Sequence, residues 1–256
     1  PGRAVVCANE SEFDLTALSL EELMGIEVTL PSRGGGTLFE TAAAVYVLTG
    51  DDLRRSGVTS IPEALRLVPG MQVGHIGASK WAISARGFND RFAQKLLVLI
   101  DGRNIYSPLF GGVFWEEHDL ILADIERIEI IRGPGATLWG ANAVNGIVNI
   151  VTRATDQTQG GLVQLGAGSE ERGLAALRYG GSWGQNVQYR VYGKFFDRDA
   201  FVDSSGARAA DQWQMQHLGF RAEWKLNDRD ELSGQGGLRA SETGQTWRFP
   251  TLAAPY

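Results

Sequence analysis

The chain has 256 residues, of which 43% are hydrophobic, and this is enough for a folded core and for about two domains of ordinary size. Its 33 glycines and 9% aromatic residues favour β structure, and a formal charge of −6 without a long basic run argues against nucleic acid as the main partner. No stretch approaches the ~20 apolar residues that a membrane-spanning helix requires, so only strands of ~9–11 alternating residues remain as a way to cross a membrane.

The first eight residues have two interpretations. Val6 and Ala8 are small residues at the spacing that precedes a signal-peptide cleavage site. Residues 1–8 are therefore expected to be either the remnant of a secretory signal peptide or an ordinary small-residue start. Cys7 is the only cysteine, which excludes a disulfide framework and a Cys-based zinc site.

Residues 9–36 are predicted to form an arm with one short helix and one short strand. Ser19 and Glu22 make a capping box, and Gly25 ends the helix. The strand is "IEVTL", in which apolar and polar residues alternate before a proline and three glycines. A strand with free hydrogen-bonding edges is suited to joining another protein's sheet, and an ordinary edge strand of the next domain explains the pattern equally well.

The part from Thr37 to Arg153 has the pattern of a small α/β domain. "AVYVLT", "DIERIEII" and "NGIVNIVT" predict strands, and "KLLVLIDGRNIY" predicts a hairpin that turns at Asp101-Gly102. Long loops rich in glycine and aromatic residues are expected in "HIGASKWAISARGFNDRFAQ" and "SPLFGGVFWEEHD". A helical turn is expected over Pro134 to Trp139.

Two short helices are predicted in the same domain. Thr49 with Asp52 caps the first helix, which Gly57 ends. Ser60 and Glu63 form a capping box for the second helix.

After Gln157 the chain changes to segments of alternating polarity. Five of them suit a strand: Gly161–Gly168, Gly173–Trp183, Val187–Asp197, Trp213–Asn227 and Glu231–Glu242. In the fourth segment Leu218, Phe220 and Trp224 share one face. His217 and Glu223 lie on the opposite face. Such a contrast is typical of a strand with lipid on one side and water on the other, although a soluble sandwich also produces it.

The connections between these segments differ in length. Residues 184–186 and 227–230 are short turns, whereas residues 198–212 form a long polar loop. Counted from Gly161, the short turns fall at one end of the strands and the longer loops at the other, as in outer-membrane barrels. The short first hairpin, at residues 169–172, departs from this pattern.

Enzymatic motifs are missing from the sequence. It has no phosphate-binding loop, no Gly-x-Ser-x-Gly elbow and no His-Glu-x-x-His motif. The "EEHD" run at Glu116–Asp119 has metal-binding residue types, but four neighbouring polar residues are far more often a solvated loop. His75 and His217 have no partner at ligand spacing. We therefore expect neither an enzyme nor a resident metal or cofactor.

Several motifs in a fixed order resemble the plug domain of TonB-dependent outer-membrane receptors. They are "ALRLVPGMQV", "ISARGFND", "LLVLIDGRNIY" and "DIERIEIIRGPGATLWGANAVNGIVNIVTR", and the resemblance spans about Thr37 to Arg153. "LSLEELMGIEVTL" is similar to the arm before such plugs. The alternative is an unrelated α/β domain with a chance Arg-Gly-Pro turn.

The resemblance implies an architecture in four parts. Residues 1–8 are the possible signal-peptide remnant, and residues 9–36 form a periplasmic arm. Residues 37–155 form an α+β plug, a small mixed sheet with short helices. Residues 156–256 are the first antiparallel transmembrane strands of an incomplete barrel of ~22 strands, so a fragment of a longer receptor is expected.

The resemblance also implies a function. The receptor would import a scarce, bulky nutrient, a ferric siderophore or a cobalamin-like chelate, through the outer membrane of a Gram-negative bacterium, with its plug facing the periplasm. The implied partners are the C-terminal domain of TonB with ExbB and ExbD, the metal chelate and outer-membrane lipid. A signal-transducing receptor is one alternative, but residues 9–36 are too short for its extra domain. A soluble periplasmic binding module is another, and the alternating strands disfavour it.

Three sets of functional residues follow from the resemblance. A loose TonB box is expected at Ile26, Glu27, Val28, Thr29 and Leu30. Arg86 and Arg132 are expected to form a latch with barrel glutamates beyond Tyr256, or else to bond plug carbonyls. The ligand candidates on the plug loops, which alternatively pack against the barrel wall, are Trp81, Arg91, Phe92, Tyr106, Phe110, Phe114 and Trp115.

Overall fold

The computed structural model describes residues 4–7, 27–28, 36–37, 44–93, 95–135, 139–202, 206–227 and 229–245. The chain separates into two compact units. The first, called the α/β unit, comprises Asn9–Ile76 and Lys80–Thr158. The second, called the strand unit, comprises Pro1–Ala8, Gly77–Ser79 and Gln159–Tyr256. Within the described ranges, no helix is both long enough and apolar enough to span a membrane.

β12 to β15 of the strand unit have 12 or 13 residues each and are longer than any element of the α/β unit. The strands are β1 (Ala4–Cys7), β2 (Glu27–Val28), β3 (Gly36–Thr37), β4 (Val45–Thr49), β5 (Met71–Gly77), β6 (Lys80–Ala85), β7 (Leu96–Ile100), β8 (Arg103–Asn104), β9 (Ile125–Ile131), β10 (Gly146–Thr152), β11 (Gly160–Gly166), β12 (Glu171–Trp183), β13 (Val187–Arg198), β14 (Trp213–Lys225) and β15 (Glu231–Thr243). The α-helices are α1 (Gly50–Ser56) and α2 (Ile61–Leu65), and 3-10 turns occupy Trp115–Glu117, Leu122–Asp124 and Asp156–Thr158.

The α/β unit is built on a mixed five-stranded sheet in the order β4-β9-β10-β7-β8. β10 runs parallel to β7, and the other neighbours are antiparallel. The β7–β8 hairpin turns where the sequence predicted, with positive φ at Asp101 (48°) and Gly102 (75°). The Asp101 carboxylate accepts hydrogen bonds from the backbone N–H (2.8 Å) and hydroxyl (2.9 Å) of Thr152. These bonds fasten the hairpin to the end of β10, and the predicted small mixed sheet with short helices is confirmed.

The two faces of this sheet carry different cores. On one face, apolar side chains from β4, β7, β9 and β10 pack with those of both helices, of β6 and of the loops. This larger core contains Leu48, Leu53, Ile61, Leu65, Trp81, Ile83, Val98, Ile128, Ile130, Val148 and Ile150, among others. Full burial of each aliphatic side chain contributes about 1.5–3 kcal/mol. The other face has a smaller core of Leu97, Leu99, Ile131, Ala143 and Ile147.

One of the two predicted helix caps is present. Asp52 N–H donates to the Thr49 hydroxyl (3.2 Å), and the Asp52 carboxylate accepts from Thr49 N–H (2.9 Å), so α1 begins with a capping box. The capping box predicted for α2 is wrong, because Ser60 makes no side-chain cap bond. Glu63 instead accepts from the backbone N–H of Thr59 (3.0 Å), one residue further from the helix.

The loop predicted over "HIGASKWAISARGFNDRFAQ" contains structure that the sequence pattern did not reveal. β5 and β6 form a separate two-stranded sheet there. β6 is buried at every residue after Lys80, so its sequence lacks the alternation that marks a half-buried strand. The helix predicted over Ser19–Gly25 lies outside the described residues. So do residues 136–138 of the turn predicted over Pro134 to Trp139, although Trp139 N–H donates to Gly135 C=O (2.9 Å).

The strand unit is one antiparallel sheet in the order β1-β11-β12-β13-β14-β15. Its five long strands match the five predicted segments to within a few residues. β1 pairs along β11, from Ala4 opposite Leu165 to Cys7 opposite Leu162. The first eight residues therefore contribute a strand to this sheet.

Candidate functional site

Three aromatic rings from two loops of the α/β unit form a cluster, called the aromatic patch and made of Phe92, Phe110 and Phe114. Phe92 and Phe110 are stacked with centroids 5.7 Å apart, and Phe114 meets both rings edge-on at 5.3 and 5.5 Å. Phe110 is 54% exposed, and its neighbour Leu109 is 78% exposed. The patch is therefore an organised apolar surface that remains open on one side.

Backbone contacts fix the loop that carries the patch. Ser107 N–H donates to Gly112 C=O (2.8 Å), and Gly111 N–H donates to Ser107 C=O (3.0 Å). A side chain at Gly112 would place its Cβ 2.8 Å from the Cα of Phe92, so only glycine permits this approach. The loop thus holds Phe110 against Phe92 before any ligand arrives, which lowers the entropy cost of binding.

Arg91 lies beside the patch, but its charge is already compensated. Its Nη2 is 3.0 Å from Oε1 of Glu116, and its guanidinium carbon is 5.0 Å from the centroid of Phe92. Tyr106 is half-buried on the same stretch of chain, and its N–H donates to the Asn104 side chain (2.9 Å). The structure therefore brings together four of the seven ligand candidates, namely Arg91, Phe92, Phe110 and Phe114. Glu116, which was predicted to be part of a solvated loop, joins them through its ion pair with Arg91.

Both tryptophan candidates are buried in the larger core. Trp81 is only 2% exposed and stacks on His75 with centroids 3.6 Å apart and an interplanar angle of 5°. The Arg66 guanidinium lies 5.3 Å from the Trp81 ring. Trp115 begins a 3-10 turn and packs in the same core. In this conformation both rings pack the domain, and neither is accessible to a ligand.

The two latch candidates lie next to each other. The Arg132 guanidinium donates to Pro69 C=O (2.7 Å), and the exposed Arg86 guanidinium lies against Gly133. The bond from Arg132 to a carbonyl matches the alternative that was expected if no latch forms. The latch itself stays a prediction.

The backbone around Arg86 is strained. Arg86, Gly87 and Phe88 have consecutive positive φ angles of 57°, 93° and 54°. The Gly87 carbonyl is held by the Ser84 hydroxyl (2.9 Å) and the Asn145 amide (3.1 Å), and Phe88 is 82% exposed. Non-glycine residues in this region are uncommon, and such strain is often found at functional positions. Phe88 was not predicted from the sequence, although its place in "ARGF" was the available signal.

A buried carboxylate in the central sheet was also missed. Glu129 on β9 is fully buried, with Arg127 Nε 2.9 Å from its Oε1 and the Asn149 amide 3.3 Å from its Oε2. A buried carboxylate requires such partners, because an unpaired one is strongly destabilising. A glutamate within an isoleucine-rich strand was the available signal, since it departs from the apolar run.

The expected TonB box lies only partly within the described residues. Glu27 and Val28 form β2, whereas Ile26, Thr29 and Leu30 lie outside the described ranges. β2 pairs antiparallel with β3, with Glu27 opposite Thr37 and Val28 opposite Gly36. The expectation of a strand with both edges free is therefore wrong, because one edge is paired within the chain.

The strand unit has its apolar side chains on the exposed face. Leu218 is 64% exposed, and Leu177, Tyr179, Phe220 and Trp224 are exposed as well. The opposite face is buried, and it combines charged side chains with an apolar cluster of Leu174, Phe196, Trp213 and Met215. Its charged and titratable members are Arg178, Arg190, Lys194, Arg198, His217 and Glu223. A water-soluble sheet has the reverse arrangement, so this distribution indicates an apolar surrounding for the exposed face.

The chain resembles a known family and several known proteins. Residues 37–147 match the TonB-dependent Receptor Plug Domain. The Vitamin B12 transporter BtuB of Vibrio vulnificus is 28% identical over 83% of this chain and 34% of its own length. The iron-regulated outer membrane virulence protein of Vibrio cholerae is 30% identical over 91% of this chain and 36% of its own length. The chain thus spans about one third of the length of these curated relatives.

A solved structure shares the fold. The ferripyoverdine receptor of the outer membrane of Pseudomonas aeruginosa aligns with a TM-score of 0.67 at 21% identity, over 83% of this chain and 27% of the receptor. The alignment covers more of the chain than the plug match does, so part of the strand unit resembles the barrel strands of that receptor.

Proposed function

The chain belongs to the family of TonB-dependent receptors, and we propose that its complete protein imports a ferric siderophore or a cobalamin-like chelate through the outer membrane. The strand unit continues into a closed barrel of ~22 strands, and the α/β unit is its plug. Energy for import comes from the inner membrane through TonB, ExbB and ExbD.

The observation that carries the proposal is the distribution of side chains in the strand unit. Its exposed apolar face suits lipid, and the charged residues of its buried face suit the lumen of a barrel. The connection between β13 and β14 is long and those that follow β12 and β14 are short, so long and short connections lie at opposite ends of these strands as in outer-membrane barrels, with the short β11–β12 connection as the exception. A soluble binding module would expose this apolar face to water, which is unfavourable, so the structure favours the membrane receptor over that alternative.

The plug surface proposed to contact the ligand is the aromatic patch with Arg91 and Tyr106. Trp81 and Trp115 contribute packing in the observed conformation, and a ligand reaches them only if the plug rearranges. Binding sites for bulky ligands combine apolar area with a few polar groups, and this surface has both.

Coupling to TonB is proposed at residues 26–30 through strand addition. Val28→Pro removes a backbone N–H and prevents regular pairing, so energised uptake should fall to the level of a TonB-deficient strain while ligand binding stays intact. Val28→Thr keeps the N–H and a β-branched side chain, and serves as the matched control. Uptake of radiolabelled chelate by whole cells compares the two variants. Normal uptake in Val28→Pro would show that residues 26–30 are not the TonB box.

The latch is proposed between Arg86, Arg132 and glutamates of the barrel strands that follow this chain. Arg86→Gln combined with Arg132→Gln should loosen the plug and raise the permeability of the outer membrane to large antibiotics. The paired lysine variants keep the charge and should leak less. An impermeable membrane with normal uptake in the glutamine double variant would exclude the latch.

The function as a whole is tested by growth. A strain that lacks the complete gene should fail to grow on one member of a panel of ferric siderophores and cobalamin, and the wild-type gene should restore growth only when TonB is present. Restored growth without TonB would contradict the proposed import mechanism.

A further inference from the structure

The Gly87 carbonyl joins two parts of the α/β unit that are distant along the chain. It accepts one hydrogen bond from the Ser84 hydroxyl (2.9 Å) and one from the side-chain amide of Asn145 (3.1 Å). The first bond is local, whereas the second connects residues that are 58 positions apart. Both donor side chains are buried, where a hydrogen bond is stronger than in water.

Asn145 has a fixed position at the centre of the sheet. Its backbone N–H donates to Lys95 C=O (2.8 Å), and the next residue begins β10, the middle one of the five strands. A Cβ at Gly146 would lie 2.7 Å from the carbonyl oxygen of Ile131 and 3.5 Å from the Cβ of Ala85, so this end of β10 is closely packed. The Asn145 amide is therefore held at a defined place beside the end of β6.

The turn that Asn145 contacts is strained. Arg86 and Phe88 have φ angles of 57° and 54°, in a region that non-glycine residues seldom adopt. Such strain persists only where surrounding contacts enforce it. Phe88 is 82% exposed, so burial of its ring does not supply that enforcement. The hydrogen bonds to Gly87 therefore oppose the relaxation of this turn to negative φ.

The φ angle of Arg86 also sets the direction of its side chain. In the strained turn the guanidinium lies against Gly133, with Nη1 3.5 Å from the place where a Cβ would stand. The next residue back along the chain is Arg132, which donates to Pro69 C=O (2.7 Å). Relaxation of φ from 57° to the ordinary negative range is a rotation of about 120° about the N–Cα bond. This rotation carries the Arg86 side chain away from Gly133.

We infer that Asn145 is the positioning residue of the latch. Its amide keeps the strained turn over Arg86–Phe88 in place and so keeps Arg86 beside Arg132, and a shift of β10 that breaks this hydrogen bond releases Arg86. The inference rests on the latch in the proposed function, and it adds the contact that holds the latch and opens it. Because β10 is the middle strand of the sheet, a rearrangement of the plug reaches Arg86 through this bond.

The test uses the complete receptor in the outer membrane of whole cells. Asn145→Ala removes the amide and should raise permeability to large antibiotics to the level of Arg86→Gln. Asn142→Ala changes the other asparagine of the same loop and should leave permeability at the wild-type level. In the purified receptor, hydrogen exchange of the amides of residues 84–88 should become about tenfold faster in Asn145→Ala, the factor that corresponds to one lost hydrogen bond.

A second substitution separates strain from a general loss of stability. Asn145→Ala combined with Phe88→Gly should restore a tight membrane, because glycine adopts positive φ without the cost that Phe88 bears. Asn145→Ala combined with Phe88→Ala also removes the exposed ring, but alanine keeps the strain, so this receptor should stay leaky. Ser84→Ala removes the other bond to Gly87 and should leak as well, which keeps the test decisive if Asn145→Ala assembles poorly.

Three results would overturn the inference. A tight membrane in both Asn145→Ala and Ser84→Ala, while Arg86→Gln leaks, refutes the role of the turn and leaves the latch standing. Equal rescue by Phe88→Gly and Phe88→Ala refutes strain as the cause of release. A tight membrane in Arg86→Gln refutes the latch and the inference together. TonB-dependent uptake of the ferric siderophores and cobalamin, measured in the same cells, reports separately on the proposed import.

Discussion

The two units of this chain differ in the side chains that they expose and bury. In the α/β unit, isoleucine, leucine and valine lie inside, and charged residues mostly lie outside. In the strand unit, large apolar residues such as Leu218 and Trp224 lie outside, while the buried face combines charged residues such as Arg190 and Lys194 with the apolar cluster of Leu174, Phe196, Trp213 and Met215. A single chain therefore follows the rule for water in one half and the rule for lipid in the other, and the environment of each face decides which side chains are stable there.

The comparison shows that alternation alone does not identify a core. Ile128 and Ile130 share one face of β9, and Leu218 and Phe220 share one face of β14, yet Ile130 is fully buried and Leu218 is mostly exposed. Ile130 stabilises the protein through burial among other side chains, whereas Leu218 does so through contact with lipid. Substitutions at matched positions can therefore separate the two cases.

The largest effect is expected from truncation in the core of the α/β unit. Ile130→Ala should reduce the stability of this unit by about 2–5 kcal/mol, because it leaves a cavity between the sheet and the helices. Hydrogen exchange of the β9 and β10 amides in the complete receptor measures the change. Leu218→Ala is the matched control, and it should leave those amides unaffected. Equal effects of the two variants would contradict the contrast between the units.

The second effect concerns charge on the exposed face of the strand unit. Leu218→Arg, near the middle of β14, should cost about 2–4 kcal/mol and lower the amount of receptor assembled in the membrane. Gln214→Arg lies on the same face close to the end of the strand, where the cost falls to about 0–1 kcal/mol. Quantifying folded receptor in isolated outer membranes compares the two variants. If Leu218→Arg assembled in the same amount as the wild-type receptor, this face would contact water and not lipid.

Much of this architecture could be predicted from the sequence, and the errors have identifiable causes. The long strands of the second unit were predicted to within a few residues, because their faces alternate and turn residues separate them. β6 was missed, because nearly every one of its residues is buried and the alternation disappears. The pairing of β2 with β3 was missed, because two-residue strands carry no pattern.

The site was predictable in its residue types but not in its geometry. Aromatic residues with a few charges beside them, in two loops, pointed to Phe92, Phe110 and Phe114 before the structure brought them together. Nothing in the sequence distinguished them from Trp81, whose burial depends on residues distant along the chain. The ion pair between Arg91 and Glu116 joins two loops, and no local pattern predicts which of several acidic residues an arginine will meet.

The third effect tests how the strand unit packs across its strands. Tyr192 lies over Gly219 on the neighbouring strand, and a Cβ at Gly219 would overlap the tyrosine ring. Gly219→Ala should therefore cost about 1–3 kcal/mol by displacing Tyr192. Gly234→Ala is the matched control, because it has open space around the added methyl group. The midpoint of heat unfolding in detergent measures both, and equal midpoints would show that the ring moves without cost.

The smallest effect concerns the two helix starts of the α/β unit. Thr49→Ala removes the hydroxyl that accepts from Asp52 N–H and should destabilise the unit by about 0.5–2 kcal/mol. Ser60→Ala changes a residue whose buried hydroxyl has no hydrogen-bond partner among the described residues, so it should be neutral or slightly stabilising. Hydrogen exchange of the α1 and α2 amides distinguishes the variants. A larger loss of stability in Ser60→Ala than in Thr49→Ala would contradict this expectation. It would mean that the Ser60 hydroxyl holds the first turn of α2, as the sequence pattern predicted.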